Sequence, residues 1–152
     1  MNRADRKLWI LMLLAILIAL IPWFVLAQGA PPLQKEKYNA NKASEDQYGY
    51  TQAVKAGNTI YISGHAARGP MGEAVKKTYE ALEKTLAHYG ATFQHVVKEN
   101  IYTTQYDELL KHVELRKSFY RNDYPASTWV QIDRLFNPEV VLEVELIAVL
   151  PD

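Results

Sequence analysis

The stretch VVLEVELIAV at 140–149 is apolar except for two glutamates. Such a run favours a buried strand, in which successive side chains point to opposite faces. One face would then be entirely apolar, and the other would carry Glu143 and Glu145 between Val141 and Ile147. Because an unpaired charge is costly in a dry sheet, this second face either meets water or turns the two glutamates into a pocket.

Two other stretches have the apolar spacing of helices. Over Glu73–Tyr89, apolar residues recur at intervals of four and three, and Gly90 follows as a terminator. The buried stripe of this predicted helix contains Val75, Tyr79, Leu82, Leu86 and Tyr89. A second helix is predicted from about Asp107 to Tyr120.

The remaining apolar runs predict strands. Residues 50–64 have the pattern of a hairpin that turns at Gly57-Asn58, since both residues can adopt positive φ. Strands are also predicted over 96–104 and 127–132, which makes the order β-β-α-β-α-β-β. We therefore expect an α+β fold, with two helices on one face of a mixed sheet that has a hairpin at each end.

Two helices cannot cover both faces of so wide a sheet. The other face is then either solvated or buried against another subunit. The apolar residues that flank Glu143 and Glu145 favour a subunit interface. The modest size of the folded part, about 105 residues, also favours oligomerisation.

The N-terminus has the pattern of an export or membrane segment. A basic start, MNRADRK, precedes the uncharged stretch LWILMLLAILIALIPWFVLA at 8–27. About 20 apolar residues suffice to span a bilayer, and the small residues before Gln28 also fit signal cleavage. In both cases the basic start stays inside and the rest lies outside the cytoplasm. A buried core helix is the alternative interpretation.

These patterns divide the chain into three parts. Residues 1–27 are predicted as a signal peptide or transmembrane anchor. Residues 28–47 are predicted as a flexible linker, because they are polar and their APP step disfavours helix and strand. Residues 48–152 are predicted as one folded domain.

Charge and composition exclude several kinds of site. Lysine plus arginine and aspartate plus glutamate both number 17, so no basic excess favours nucleic acid. The chain has no cysteine, which excludes disulfides, thiolate nucleophiles and cysteine-bound metals. The four histidines have no metal-ligand spacing, so we expect neither a metal nor a cofactor.

Four segments in order carry a family resemblance: GYTQAVKAGNTIYISG, HYGATFQHVVKENIYTT, YPAST and LEVELIAV. With these segments the chain resembles the Rid family (reactive intermediate deaminase, also called YjgF-like) over roughly Tyr48–Leu150. The resemblance implies a chorismate-mutase-like α+β subunit and a homotrimer with a central barrel. It also implies a small-molecule pocket at each subunit interface.

The resemblance further implies a site. Glu143 matches the family carboxylate that positions the water attacking an imine carbon; a structural ion pair is the alternative role. Tyr50 and Ser63 match pocket residues, although ordinary hairpin packing would also explain Tyr50. His65 stands where many relatives have glutamine, and is expected to be a polar pocket wall or a general acid–base.

One residue of the family pattern is missing. The family's deaminases hold the substrate carboxylate with the arginine of a Pro-Ala-Arg step, which donates two charge-assisted hydrogen bonds. Here residues 125–127 are PAS, and Ser127 carries no charge. Trp129 is expected on the same side of the strand, where it would make the pocket more apolar. Arg68 and Arg134 are the candidates to replace the missing cation.

Three functions remain open from the sequence. The first is an exported or membrane-anchored protein that binds a small molecule and lacks standard 2-imino acid deaminase activity. The second is an enamine or imine deaminase, a hydrolase, in which Glu143 and Ser127 place water and substrate. The third is a non-enzymatic accessory subunit of a membrane complex, tethered by Leu8–Ala27.

Overall fold

The computed structural model describes Arg6, Lys7, Trp9, Met12 and residues 32–152. Residues 34–152 form one compact unit that contains all the elements named below. The predicted signal peptide or anchor at 1–27 lies outside the described residues except for Arg6, Lys7, Trp9 and Met12. In the part of the chain that is described, no helix is long and apolar enough to cross a membrane.

Six strands form one mixed sheet in the order β1-β2-β3-β6-β4-β5. The strands are β1 (Glu36–Tyr38), β2 (Ala53–Ala56), β3 (Thr59–Arg68), β4 (Val96–Thr103), β5 (Ala126–Gln131) and β6 (Val140–Val149). Neighbouring strands are antiparallel except β4 and β5, which are parallel. The predicted α+β fold with a mixed sheet is confirmed.

The predicted hairpin at the C-terminal end is wrong. Strand β6 pairs with β3 and β4, and β5 lies at the edge of the sheet. Two parallel strands need a crossover between them, and the segment between β4 and β5 provides it. The hairpin of β2 and β3 is present, with Gly57 at φ 62° in its turn.

Within residues 34–152, four helices accompany the sheet. They are α1 (Lys42–Tyr48), α2 (Met71–His88), α3 (Tyr106–Leu110) and α4 (Val113–Tyr120), and a short 3₁₀ turn (Phe93–His95) precedes β4. The single helix predicted over 107–120 is therefore two helices. His112 has φ −113° and ψ 17°, which departs from helical geometry and interrupts the run.

The core lies between α2 and the sheet. On β6 the side chains of Leu142, Val144, Leu146 and Ala148 are at most 2% exposed, as their alternation predicts. They face the apolar stripe of α2, in which Tyr79, Leu82 and Leu86 are at most 1% exposed. Burying each leucine or valine contributes about 1.5–3 kcal/mol. The opposite face of the sheet carries Tyr61 and Val130, which are exposed.

The segment 28–47 is not a linker throughout. Strand β1 and most of α1 lie within it, and β1 pairs with β2. Glu45 explains the order of this segment, because its carboxylate is buried and accepts hydrogen bonds from Asn41 N (2.8 Å), Gln52 N (2.8 Å) and Asn39 Nδ2 (2.5 Å). Burial alone would raise the pKa of Glu45, but these bonds outweigh it and lower the pKa.

Candidate functional site

Four of the predicted site residues line one cavity of about 690 Å³: Tyr50, Ser63, His65 and Glu143. The cavity lies beside the end of α1, the middle of β3 and the loop between β5 and β6. Tyr48 and Phe136 also line it, and the described residues of its lining include neither lysine nor arginine. The pocket is thus acidic and aromatic rather than basic.

An irregularity in β3 shapes the floor of this cavity. The register between β3 and β6 shifts between Ile62 and His65, so Ser63 and Gly64 leave the regular ladder. Ser63 N donates to Gln52 O (2.9 Å), and the Ser63 hydroxyl donates to Thr51 O (2.8 Å). Gln52 Nε2 donates back to Ser63 O (2.9 Å). These bonds hold the bulge in place. β-Bulges are common beside functional sites.

Glu143 is held half-buried next to this bulge. Burial raises the pKa of its carboxyl, and the nearby negative charge of Glu145 raises it further. Among the hydrogen bonds between described residues, none reaches the Glu143 carboxylate. A partly desolvated carboxylate with free lone pairs is suited to accept a proton or to hold a cation.

Glu145 has a different environment, although it shares a face with Glu143. Its Oε1 accepts hydrogen bonds from Asn100 Nδ2 (2.6 Å) and from the Tyr102 hydroxyl (3.2 Å). The two glutamates of β6 therefore have different environments. Glu145 is hydrogen-bonded to side chains of β4, and Glu143 faces the cavity.

His65 is tied to helix α2. Its Nε2 lies 3.0 Å from the Thr85 hydroxyl, which itself donates to Ala81 O (3.1 Å). Because that hydroxyl proton is used, His65 Nε2 is the donor and Nδ1 is the unprotonated nitrogen. Burial lowers the pKa of His65 to about 4, against an opposing effect of Glu45. The ring is neutral at pH 7, which favours the polar-wall role over that of a general acid.

Within a single protomer Ser127 and Trp129 do not line this cavity, and their predicted place in a pocket between subunits stays a prediction. In the sheet register Ser127 lies beside Glu99, and Glu99 lies beside Leu146 on the core face. Glu143 is on the opposite face. The Ser127 hydroxyl donates to Glu99 Oε2 (2.6 Å) and accepts from Trp129 Nε1 (2.6 Å). Strand alternation predicted that the two residues share a side, but not which side it is.

Glu99 is the centre of a buried polar cluster that the sequence analysis did not single out. Its carboxylate is fully buried and accepts from the hydroxyls of Tyr79 and Tyr120, each at 2.6 Å. It also pairs with Arg116, whose Nε lies 3.0 Å from Oε2. The Arg116 guanidinium lies 4.8 Å from the Tyr120 ring centre and 5.1 Å from that of Trp129.

A signal for this cluster was present in the sequence. Glu99 alternates in phase with Ile101 on β4, which is the pattern of a core position. Burial and the Glu99 charge together raise the pKa values of Tyr79 and Tyr120, so both hydroxyls keep their protons and donate. The buried polar groups of this cluster therefore find their hydrogen-bond partners within it.

The two candidate replacement cations lie elsewhere. Arg68 forms an exposed ion pair with Glu139 (2.8 Å). Arg134 Nε donates to Leu135 O (3.3 Å). Neither lines the cavity with Glu143. Within the described residues there is also no group of three or more metal-ligating side chains.

Comparison with known protein families identifies the family of this chain. The family described as Endoribonuclease L-PSP matches residues 41–150 of the chain. The chain belongs to this family. It is the Rid or YjgF-like family that the four sequence segments resemble, so that resemblance is confirmed. The family match begins in α1, in agreement with the ordered segment around Glu45.

Individual members of the family agree with this assignment. A RutC family protein of Pyrococcus abyssi is 28% identical over 125 residues, which cover 76% of this chain and 98% of the relative. The 2-iminobutanoate/2-iminopropanoate deaminase of Mus musculus is 29% identical over 109 residues, covering 66% of this chain and 80% of the relative. The crystal structure of a YjgF family member from Mycobacterium tuberculosis has the same fold, with a TM-score of 0.69, 22% identity, and coverage of 77% of this chain and 100% of that one.

Proposed function

We propose that this Rid-family protein binds a small molecule in the cavity around Glu143, at the interfaces of a homotrimer, and lacks standard 2-imino acid deaminase activity. The charge of the cavity carries the proposal. Glu143 contributes a carboxylate, and none of the lysines and arginines in the described part of the chain lines the cavity. A 2-imino acid would bring a second carboxylate beside Glu143 without a cation to neutralise it.

Ser127 supports the same conclusion from the family pattern. The residue stands at the position of the family arginine, and its hydroxyl is bonded to Glu99. A single neutral hydrogen bond cannot replace the two charge-assisted bonds of a guanidinium.

The proposed trimer rests on the open face of the sheet. Tyr61 is 51% exposed and Val130 is 39% exposed, and both flank the polar strip of Asn100 and Glu145. Covering these side chains in a barrel would remove apolar surface from water. Light scattering on the purified protein should give three times the 17.4 kDa chain mass. A monomer mass would remove the interface pocket from the proposal.

A second candidate function is hydrolysis of uncharged imines or enamines. The raised pKa and free lone pairs of Glu143 favour it. The Glu143 carboxylate would accept a proton from a water molecule as the water oxygen adds to the imine carbon. The carboxyl then returns this proton to the nitrogen, the C–N bond breaks as the C=O bond forms, and ammonia leaves.

One assay separates the two candidates. The purified protein is incubated with 2-aminoacrylate and longer 2-imino acids generated in situ, and with an uncharged imine, and their loss is compared with the uncatalysed rate. We expect no acceleration for the 2-imino acids. Acceleration that disappears in Glu143→Gln and persists in the matched Glu145→Gln variant would replace the binding function by the deaminase function.

The N-terminal part of the proposal rests on sequence alone. We propose that residues 8–27 export or anchor the chain, which puts the domain in the periplasm or an equivalent compartment outside the cytoplasm. An accessory role in a membrane complex becomes the leading function if the segment is retained. N-terminal sequencing of the mature protein decides this: a start at Met1 in the membrane fraction supports an anchor, and a start at Gln28 supports cleavage.

A further inference from the structure

Three aromatic rings open into the same cavity as Glu143. Tyr48, Tyr50 and Phe136 are 58%, 42% and 68% exposed, although large aromatic side chains are mostly buried in folded domains. The Tyr48 and Phe136 rings lie 5.7 Å apart at an angle of 66°. They come from the end of α1 and from the loop between β5 and β6, so the fold brings together two distant parts of the chain to form this rim.

The carboxylates around the cavity are not equivalent. Glu45 accepts three hydrogen bonds, two of them from the backbone of Asn41 and Gln52, which line the cavity, and Glu145 accepts two. Glu143 accepts none from the described residues, and it is the glutamate that lines the cavity. A carboxylate that is partly withdrawn from water and has no internal donor is complementary to a positively charged group.

The rings and the carboxylate favour the same kind of ligand. The face of an aromatic ring attracts a cation, and the attraction increases when the site is desolvated. Among the residues that the structure describes, no positive side chain lines the cavity to compete with a bound cation or to attract an anion. Arg68 does not line the cavity and forms an exposed ion pair with Glu139 (2.8 Å).

We propose that the cavity binds an organic cation, with an ammonium or iminium group against Glu143 and an apolar body against Tyr48, Tyr50 and Phe136. This inference rests on the proposed function, since it names the ligand class of the same pocket. It separates this protein from relatives named as deaminases of 2-iminobutanoate and 2-iminopropanoate, whose ligands carry a carboxylate.

Three probes of similar shape and different charge test the proposal: benzylamine, benzyl alcohol and phenylacetate. Each is titrated calorimetrically into the full-length protein at neutral pH. We expect benzylamine to bind at least about tenfold more tightly than benzyl alcohol, and phenylacetate to bind more weakly than both. Glu143→Gln should abolish the preference for the cation.

Two further variants test the rings. Phe136→Leu and Tyr48→Leu should weaken benzylamine binding more than benzyl alcohol binding. Tyr124→Leu is the matched control, because Tyr124 is also an exposed tyrosine but does not line the cavity. Circular dichroism verifies that each variant is folded.

Failure of the cation inference and failure of the proposed binding function give different results. If phenylacetate binds as tightly as benzylamine, the cation inference is overturned while the cavity remains a binding site. If none of the probes binds, both the inference and the proposed binding function are overturned. If Phe136→Leu changes the oligomeric mass and leaves the order of the three affinities unchanged, the rings belong to a subunit interface and the inference is overturned.

Discussion

Gly64 and Glu143 depend on each other sterically. A β-carbon added to Gly64 would lie 2.6 Å from Cγ and 2.7 Å from Cδ of Glu143, closer than such atoms can approach. The Glu143 side chain therefore occupies the space that any other residue at position 64 would need. Position 64 requires glycine because of its close packing against Glu143. Its φ is not the reason, since Gly64 is not among the positive-φ residues of the described chain.

Gly64→Ala should therefore displace Glu143 and destabilise the protein by about 1–3 kcal/mol. The cost should be smaller when Glu143→Ala is already present, because the two side chains then no longer overlap. Denaturant unfolding of both single variants and the double variant measures this coupling. Gly72→Ala is the control, since the nearest atoms to its β-carbon belong to the His112 ring (2.8 Å) and not to Glu143, so its cost should be the same in both backgrounds. Equal costs of Gly64→Ala in both backgrounds would contradict the relationship.

Glu99→Gln should destabilise the fold by on the order of 3 kcal/mol. The amide keeps the size of the side chain but removes the charge that compensates the buried Arg116. Glu139→Gln breaks the exposed pair with Arg68 and should cost less than about 1 kcal/mol. Thermal unfolding of the two variants gives the comparison; similar costs would mean that the cluster does not hold β4, α2 and α4 together.

Glu143→Gln should stabilise the protein at neutral pH. The pKa of Glu143 is raised on folding, so its contribution to stability is fully present below the unfolded pKa and is lost as pH rises through the folded pKa. The gain in melting temperature over wild type should be largest near pH 7 and should vanish below the ordinary carboxyl pKa. A gain that is independent of pH would have a cause other than the charge of Glu143.

His65 should make the protein sensitive to mild acid. Its pKa is lowered from 6.5 to about 4, so the unfolded chain takes up a proton in this interval while the folded chain does not. Stability is therefore present above pH 6.5 and decreases by on the order of 3 kcal/mol down to about pH 4. Unfolding free energies measured across this range should show a steeper slope for wild type than for His65→Gln. His88→Gln, at an exposed position, is the control.

Ser127→Arg should increase the affinity for small 2-oxo acids only if the protein assembles as the proposed homotrimer. Within one protomer Ser127 and Glu143 lie on opposite faces of the sheet, so the new guanidinium reaches a cavity only if β5 of one subunit borders the cavity of the next. Calorimetric titration with 2-oxobutanoate measures the gain. Ser118→Arg, at an exposed position on α4 that does not line the cavity, should give none. An absent gain in a protein that is trimeric would remove β5 from the pocket.

Much of the fold followed from local patterns. The alternation over 140–149 predicted β6 and the division of its faces, and the spacing of Tyr79, Leu82 and Leu86 predicted the buried side of α2. These patterns are visible in sequence because each side chain's direction follows from the period of its own element. The predicted linker was wrong at Glu45 because a polar segment can be ordered by hydrogen bonds to one buried carboxylate, which composition does not show.

The sequence by itself determined the family, the α+β class and a set of pocket residues that do meet: Tyr50, Ser63, His65 and Glu143. Only the tertiary structure decided which face of the sheet each strand presents to that pocket. Ser127 and Trp129 share a side of β5, but the parallel register with β4 turns that side to Glu99 and the core. The period of a strand fixes which residues lie together; the pairing between strands, a long-range property, fixes what they face.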